Sequence, residues 1–269
     1  MAPGKKNPTV PPKRFGNFWL PFIIPLLILI LWQVLGDRGI LRPSLLPPPS
    51  AVGQALIQSI QSGDLARNMG VSLQRVLEGF TLGSGLGILL GFILGFFNRM
   101  ERASLLLIGF LRPIPTIAWI PALILWLGID EASKVTVIAI GSFWPVLLGA
   151  LQGVRGVDLR YLEVARVLEK DRWTLVSRIV LPSALPSLFT GLRVAMGIAW
   201  ASVVGAELIA ASSGIGYMIM YAREVSQPDV MLAGVAVIGL TGLVIDFLFL
   251  AVERRLSRWA PPAFPGRKI

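Results

Sequence analysis

Long apolar runs constrain this fold more than any other feature of the sequence. Six runs carry few charges over about 20 residues or more, enough for an α-helix to cross a ~30 Å hydrocarbon layer. Strands of a membrane barrel would alternate apolar and polar residues instead. We therefore predict an all-α membrane protein with six transmembrane helices. Their approximate limits are 17–36, 71–97, 103–127, 134–153, 190–211 and 231–252.

Composition excludes several classes of soluble protein and enzyme. The 269 residues are 54% hydrophobic, which is too apolar for an ordinary soluble domain. The absence of cysteine and histidine excludes disulfides, Cys or His metal sites, thiol nucleophiles and His-based triads, so we predict no metal site and no catalytic residue. The net charge of +10 fits residues that set membrane orientation and meet anionic lipid, and we expect no nucleic-acid partner.

The distribution of basic residues predicts the orientation. With the N-terminus inside, 18 Lys and Arg lie on the cytoplasmic side and six on the opposite side. Lys and Arg are typically in excess in cytoplasmic loops, so we predict that both termini are cytoplasmic. The chain then divides into an N-terminal tail (1–16), a six-helix transmembrane domain (17–252) with a cytoplasmic insert (155–190), and a C-terminal tail (253–269).

The second apolar run contains five glycines spaced four residues apart. This spacing places them in one stripe on a helix, along which another helix backbone can approach closely. The stripe indicates plain helix packing first of all, and the same packing could build a tight bundle that lines a transport path. The residues are Gly79, Gly83, Gly87, Gly91 and Gly95.

The third apolar run is interrupted by three prolines within nine residues, from Pro113 to Pro121. Proline breaks the helical hydrogen-bond ladder, and broken backbone at membrane depth is tolerated only inside protein or beside water. Arg112 lies inside this run, where lipid exposure would be costly. We expect the segment to border a translocation path, with Pro113, Pro115 and Trp119 as lining candidates. Arg112 either attracts an anion or braces the broken helix.

Two carboxylates fall inside the later runs. Glu207 lies in the outer part of the fifth span, where it is expected to line a gate or to form a structural hydrogen bond or ion pair with a neighbouring helix. Asp246 in the sixth span has the same alternatives. Intramembrane carboxylates usually face a partner or a wet cavity, so Glu207 is a further candidate for the path.

The outer segments predict little regular structure with two exceptions. Four prolines forbid a regular helix over 41–50. A surface helix over about 51–61 is expected to follow, with Ser50 as its N-cap. The apolar segment 213–224 predicts a short re-entrant or surface helix that forms an outer lip or packs into the core.

The insert at 155–190 predicts two short helices, capped by Asp158 and Asp171. Pro182 and Pro186 are expected to end this element and redirect the chain into the fifth span. Exposed short helices with apolar and charged faces seat in grooves of other proteins, or lie at lipid head groups. The sequence has no Gly-x-x-x-x-Gly-Lys-Ser/Thr phosphate loop, so ATP-driven transport would require hydrolysis on another chain.

The insert resembles the cytoplasmic signature of membrane subunits of bacterial binding-protein-dependent ABC importers. That pattern runs Glu-Ala-Ala, three residues, Gly, nine residues, Ile, one residue, Leu-Pro. The expected residues occur at Glu163, Ala165, Ile179, Leu181 and Pro182. Val164 replaces the first Ala, and Glu169 stands where Gly would allow a left-handed turn. Because Glu takes that conformation at a cost, we expect the turn to move to Lys170–Asp171 or the linker to stay partly helical.

The resemblance implies a type I ABC importer permease fold in the bacterial inner membrane. It also implies a second permease copy, two cytoplasmic ATPase subunits that bind ATP and Mg, a periplasmic or lipid-anchored solute-binding protein, and membrane lipid as partners. We expect this chain itself to bind no cofactor. The segments 46–52, 120–131, 213–217 and 253–259 are similar to permeases for sulfonates, taurine, nitrate or bicarbonate, most of all aliphatic sulfonate permeases. By resemblance the ATPase-coupling residues are Glu163, Val164, Ala165, Arg166, Leu168, Glu169, Ile179, Leu181 and Pro182.

Other classes of membrane protein remain as alternatives. A channel or ion-coupled secondary transporter would work without an ATPase, and such transporters more often carry paired intramembrane carboxylates. A membrane enzyme is disfavoured because no metal or nucleophile cluster is visible in the sequence. A membrane scaffold without transport activity is the third alternative.

Overall fold

The computed structural model describes residues 19–256, apart from the side chain of Arg166, and this range is helical without β-strands. The prediction of an all-α protein is confirmed. The helices of this range, in chain order, are α1 (Leu20–Asp37), α2 (Pro49–Gln61), α3 (Asp64–Phe96), α4 (Asn98–Leu111), α5 (Ile120–Leu127), α6 (Glu131–Arg155), α7 (Leu159–Val167), α8 (Arg172–Leu175), α9 (Leu181–Ala210), α10 (Ile215–Glu224) and α11 (Pro228–Leu256).

Five helices of the described range are long and apolar enough to cross a membrane. They are α1, α3, α6, α11 and the continuous helix Arg172–Ala210 that contains α9. A sixth span forms if α4 and the segment Thr116–Leu127 count together, although the two are bent by 85°. The predicted six spans correspond to these five helices and the bent pair.

The bend between α4 and α5 follows from proline chemistry. Pro113 and Pro115 lie in the connection, and Thr116–Trp119 forms a short 3₁₀ turn before α5. Neither proline has an N–H to continue the hydrogen-bond ladder of α4, so the helix ends at Leu111. The predicted break in the third run is therefore confirmed.

Helices α3, α6 and α9 form the centre of the molecule. The glycine stripe of α3 faces α6 over its whole length, so that a Cβ added to Gly91 would lie 2.6 Å from the Cβ of Ala150. Where the three helices meet, Val76, Ile138 and Val203 form a fully buried apolar core. The glycines thus let the backbones of α3 and α6 approach at a distance that any larger residue would prevent.

The fifth span differs from the prediction. Pro182 and Pro186 do not end the insert, because one helix continues from Arg172 to Ala210. Val176–Val180 adopts π-helical geometry just before α9, which places Pro182 in the first turn of α9. Because this turn already departs from α-helical hydrogen bonding, the helix continues through Pro182, which has no N–H to donate.

The outer segments follow the sequence with one correction. The chain over 41–48 is irregular, and helices α2 and α10 occupy the two segments predicted as short helices. Ser50 is not the N-cap of α2, because that helix already begins at Pro49 with Pro48 at the cap position. The backbone N–H of Ser50 instead donates to Oε1 of Gln33 at 3.0 Å, which connects α2 to α1.

Candidate functional site

A cavity of about 580 Å³ lies between the proline bend and helices α6 and α9. The bend contributes one wall, because it turns the chain away from the direction of α4. The helices contribute the other walls through residues on one face of each. The lining residues used below are Arg112, Pro113, Pro115, Thr116, Trp144, Leu148, Gln152, Ser187, Thr190, Val194 and Ile198.

Small residues of α6 and α9 make room for this cavity. Gly149 and Gly191 bring the two helices together, since a Cβ on Gly149 would lie 3.1 Å from the Cα of Gly191. Gly141 faces Thr116 and Ser202 with similarly little space. The helix backbones therefore form the back of the cavity, and larger side chains stand at its sides.

Arg112 is exposed in the single chain and differs from three other cationic residues of the spanning helices. The guanidinium of Arg75, the ammonium of Lys134 and the guanidinium of Arg193 each contact a carboxylate. Within residues 19–256, the side chain of Arg112 has neither a hydrogen bond nor an ion pair, and it lines the cavity. A cation that lines a cavity without a carboxylate partner can attract an anion.

The structure brings three of the five path candidates together. Arg112, Pro113 and Pro115 line the cavity. Trp119 points elsewhere and packs beside the buried cluster that contains Ile120. Glu207 is also outside this cavity, and its assignment to the path, like that of the other four residues, stays a prediction.

Glu207 belongs to a buried ion-pair network at the end of the bundle next to α10. Its Oε1 lies 2.9 Å from Nη1 of Arg75, and both side chains are almost fully buried, with 0% and 3% exposed. The hydroxyl of Ser72 donates to both carboxylate oxygens, and the backbone N–H of Gly216 donates to Oε2. Every face of the carboxylate is thus occupied by a donor, which is the structural ion pair that the sequence left open.

The same network extends to α6 and to the loop before α10. Arg75 donates to both carboxylate oxygens of Glu131 at 2.6 and 2.7 Å, and to the carbonyl of Ser213 at 2.7 Å. Lys134 reaches Oε1 of Glu131 at 3.1 Å. The charges of Arg75, Lys134, Glu131 and Glu207 sum to zero, so the network carries no net charge. It fixes α3, α6, α9 and the loop before α10 to one another.

Sequence reasoning missed the central role of Arg75. It lies near the outer end of α3, where it counts as an ordinary basic residue on the outer side. The signal that could have found it is the joint presence of Arg75, Glu131 and Glu207 near the outer ends of three predicted spans. Such groups must pair with one another if they are to be buried.

Asp246 is engaged in a second ion pair. Both of its carboxylate oxygens accept from the guanidinium of Arg193, at 2.7 and 2.8 Å, which connects α9 to α11. Glu253 lies further along α11 and accepts from the hydroxyl of Thr190 at 3.3 Å. Asp246 is therefore a structural partner of α9.

The insert at 155–190 contains two short helices, as predicted. Asp158 accepts from the N–H of Arg160 at the start of α7, and Asp171 accepts from the N–H and hydroxyl of Thr174 at the start of α8. These bonds to Thr174 stabilise the charged form of Asp171 and lower its pKa. Both predicted caps are confirmed.

The turn between α7 and α8 stays at Glu169, contrary to both expected alternatives. Glu169 adopts φ +49°, the left-handed conformation that Gly would favour. The N–H of Lys170 donates to the carbonyl of Ala165 at 3.0 Å, the six-to-one bond of a Schellman motif. The hydrogen bonds that this geometry supplies to the end of α7 outweigh the local cost of a Cβ.

The coupling residues fall on different sides of the insert. Ala165 is buried, whereas Val164 and Leu168 are 56% and 59% exposed, and the neighbouring Val167 is 81% exposed. Glu163 and Glu169 are exposed beside them. Leu181 and Pro182 follow the π-helical segment, which itself contains Ile179. The exposed part of α7 is thus an apolar patch edged by charge.

Comparison with known proteins bears on both regions. Residues 83–258 match the family described as binding-protein-dependent transport system inner membrane component. The chain is 40% identical over 248 residues to the putative aliphatic sulfonates transport permease protein SsuC of Bacillus subtilis, covering 92% of this chain and 89% of that protein.

Two further relatives extend this comparison. The taurine transport system permease protein TauC of Escherichia coli is 33% identical over 237 residues, which cover 86% of each chain. The bicarbonate transport system permease protein CmpB of Synechocystis is 31% identical, with 87% of each chain covered. In fold, the chain is similar to one in an inward-facing structure of the MetNI methionine ABC transporter (TM-score 0.57, 14% identity, 85% of this chain and 98% of that chain).

Proposed function

This chain belongs to the family of binding-protein-dependent transport system inner membrane components, and we propose that it forms the path of a small anion through the membrane. It is a multi-pass permease subunit of an ABC importer and not an enzyme. Relatives are named for aliphatic sulfonates, taurine and bicarbonate. The transported solute of this chain is accordingly an anion of the sulfonate, taurine, nitrate or bicarbonate class.

The observation that carries the proposal is the continuity between the insert and the cavity. One helix runs from Arg172 in the insert to Ala210, and its middle part supplies Ser187, Thr190 and Val194 to the cavity wall. A force applied to the insert therefore acts directly on the element that lines the path. Rigid-body movement of this kind is a common device for opening and closing a site.

We assign the force to cytoplasmic ATPase subunits that dock on α7. Its exposed patch of Val164, Val167 and Leu168 is apolar, while Glu163 and Glu169 beside it are acidic. A protein groove can accept the apolar patch and pair the acidic residues with basic residues of its own. ATP and Mg would bind to those subunits, and both termini of this chain would lie on the same cytoplasmic side.

A second copy of this chain and a solute-binding protein complete the proposed transporter. Ile117 and Val194 are more than half exposed next to the polar cavity, and a second permease copy would cover them. The solute-binding protein would deliver the anion at the outer face, near α2 and α10. Lipid would contact the remaining apolar surface, of which α1 forms a large part.

Ion-coupled transport finds no support among the carboxylates. Glu207 accepts from Arg75, Ser72 and Gly216. Asp246 accepts from Nε and Nη2 of Arg193. Carboxylates that couple ion or proton movement must exchange partners during transport, and these two are committed to structural pairs.

Co-purification with an ATPase tests the proposal. The chain is expressed with a candidate ABC ATPase, extracted in mild detergent and captured through a tag on the permease. We expect Glu163→Arg to lose the ATPase because it reverses the charge beside the patch. The matched control Arg102→Glu reverses an exposed charge on α4, outside the patch, and should retain the ATPase. Deletion of 162–170 should release the ATPase while the permease remains inserted; retained binding in that variant would refute the docking assignment.

A further inference from the structure

Among the described residues that line the cavity, Arg112 alone is charged. Arg112 lines it without a carboxylate partner in the described range, and no acidic residue is among the lining residues. By contrast, the structural arginines Arg75 and Arg193 each form an ion pair with a carboxylate. An arginine that only braced a broken helix would be expected to bond to the carbonyls that the break exposes, and Arg112 makes no such bond.

The cavity also offers polar groups that are free to bind. Neither the amide of Gln152 nor the hydroxyl of Ser187 has a hydrogen-bond partner within residues 19–256. Thr116 and Thr190 stand nearby and bond to other protein groups. The amide and hydroxyl are the kind of neutral donors that complete an oxyanion site around a guanidinium.

Apolar side chains occupy the rest of the lining. Trp144 and Leu148 come from α6, and Val194 and Ile198 come from α9. The volume of about 580 Å³ is in the range of small-molecule sites and far exceeds what nitrate or bicarbonate would fill. A ligand that matches both parts has a charged head and an apolar body.

We propose that this cavity is a transit site for an organic monoanion, in which Arg112 binds the anionic head and selects its charge. The inference rests on the proposed function, since it describes a site on the same path. The cavity of each copy holds one guanidinium, which neutralises one negative charge. A dianion would keep a second charge that no lining residue of that cavity compensates, which is costly away from water. The permease then contributes its own selection in addition to any made before the solute reaches it.

Binding of simple sulfonates to the full-length permease in lipid nanodiscs tests this site. Butanesulfonate supplies one charge and an apolar body, and butane-1,4-disulfonate supplies a second charge on the same body. Trp144 lies in the lining, so its fluorescence reports occupancy, and Trp144→Phe identifies its contribution to the signal. We expect butanesulfonate to quench this signal and the disulfonate to bind at least tenfold more weakly.

Variants of Arg112 test the role of its charge. Because the guanidinium would supply the charged hydrogen bonds to the anionic head, Arg112→Met should weaken butanesulfonate binding about tenfold or more. Arg112→Lys should retain most of the affinity. Arg102→Met removes an exposed charge from the same helix and should bind like the wild type. Unchanged binding in Arg112→Met would overturn the proposal.

If Arg112→Met fails to fold, the binding measurements on the wild-type protein still test the site. No quenching by butanesulfonate, or equal affinity for the two sulfonates, would overturn the site without any variant. Failure of the proposed function has a different signature. It would appear as loss of ATPase co-purification or of ATP-driven uptake by the assembled transporter, while binding to the nanodisc-embedded permease persisted.

Discussion

Alanine at Gly83 should separate steric packing from helix propensity in the glycine stripe. A Cβ at this position would lie 2.9 Å from the Cα of Ala139 and closer still to its carbonyl group. Both contacts are with backbone, which cannot rotate away. Gly85 lies on the same helix, and a Cβ there would meet nothing within 4 Å. The variants Gly83→Ala and Gly85→Ala therefore both replace glycine by alanine within α3. Only Gly83→Ala also introduces a close packing contact.

The expected magnitude follows from these two terms. Replacing glycine by alanine inside a helix favours the helix by up to about 1 kcal/mol, and this gain applies at both positions. Overpacking a close contact costs about 1–3 kcal/mol, and this cost applies only at Gly83. The free energy of unfolding of Gly83→Ala should thus be lower than that of Gly85→Ala by about 1–3 kcal/mol.

Unfolding in mixed detergent micelles, followed by tryptophan fluorescence, measures this difference. Gly91→Ala provides a replicate, because its Cβ would lie 2.6 Å from both the Cβ of Ala150 and the carbonyl oxygen of Leu147. It should behave like Gly83→Ala. If all three variants unfold at the same detergent concentration, α3 and α6 do not approach as closely as described, and the packing argument is refuted.

Two further predictions concern the ion network and the insert. Arg75→Met should destabilise the protein by about 3–5 kcal/mol, because it leaves Glu207 buried without its cation. Arg67→Met, which breaks an exposed pair on the same helix, should cost less than about 1 kcal/mol. Adding Glu207→Gln to Arg75→Met should recover much of the loss, and no recovery in unfolding experiments would contradict the pairing. Glu169→Gly should slow amide exchange at Lys170, because it removes the cost of a left-handed residue, about 1 kcal/mol. Glu163→Gly within α7 should have the opposite sign, and faster exchange in Glu169→Gly would show that the turn lies elsewhere.

The sequence predicts those parts of the fold that depend on local chemistry. Apolar length predicts the spanning helices, and three prolines predict the break that α4 and α5 show. The four-residue glycine spacing predicts that α3 packs closely, although it does not name α6 as the neighbour. In each case the property belongs to one segment and is visible without the rest of the chain.

The features that the sequence fails to predict are of two kinds. Some depend on contacts between distant segments, and others depend on neighbouring structure that accommodates an unfavourable residue. Arg75 and Glu207 are 132 residues apart, and only the folded bundle brings them together. Pro182 suggests a break in isolation, yet the π-helical turn before it lets the helix continue. Glu169 is an unfavourable residue for a left-handed turn, yet the bonds at the end of α7 hold it there. Residue preference is a weak prior whenever neighbouring structure supplies compensation.

The packing of the centre limits which movements can open the cavity. Gly149 and Gly191 bring α6 and α9 into backbone contact behind it, and the network of Arg75 and Glu207 ties the same helices to α3 at the outer end. Separating α6 from α9 would break these contacts together. The proline bend packs on the same unit, because Thr116 lies against Gly141 and shares a hydrogen bond with Ser202, and Ile120 just after the bend is buried with Val137 and Ala206. We therefore expect the cavity to change width mainly by movement of a second copy against α3, α6 and α9, with the bend moving as part of that unit.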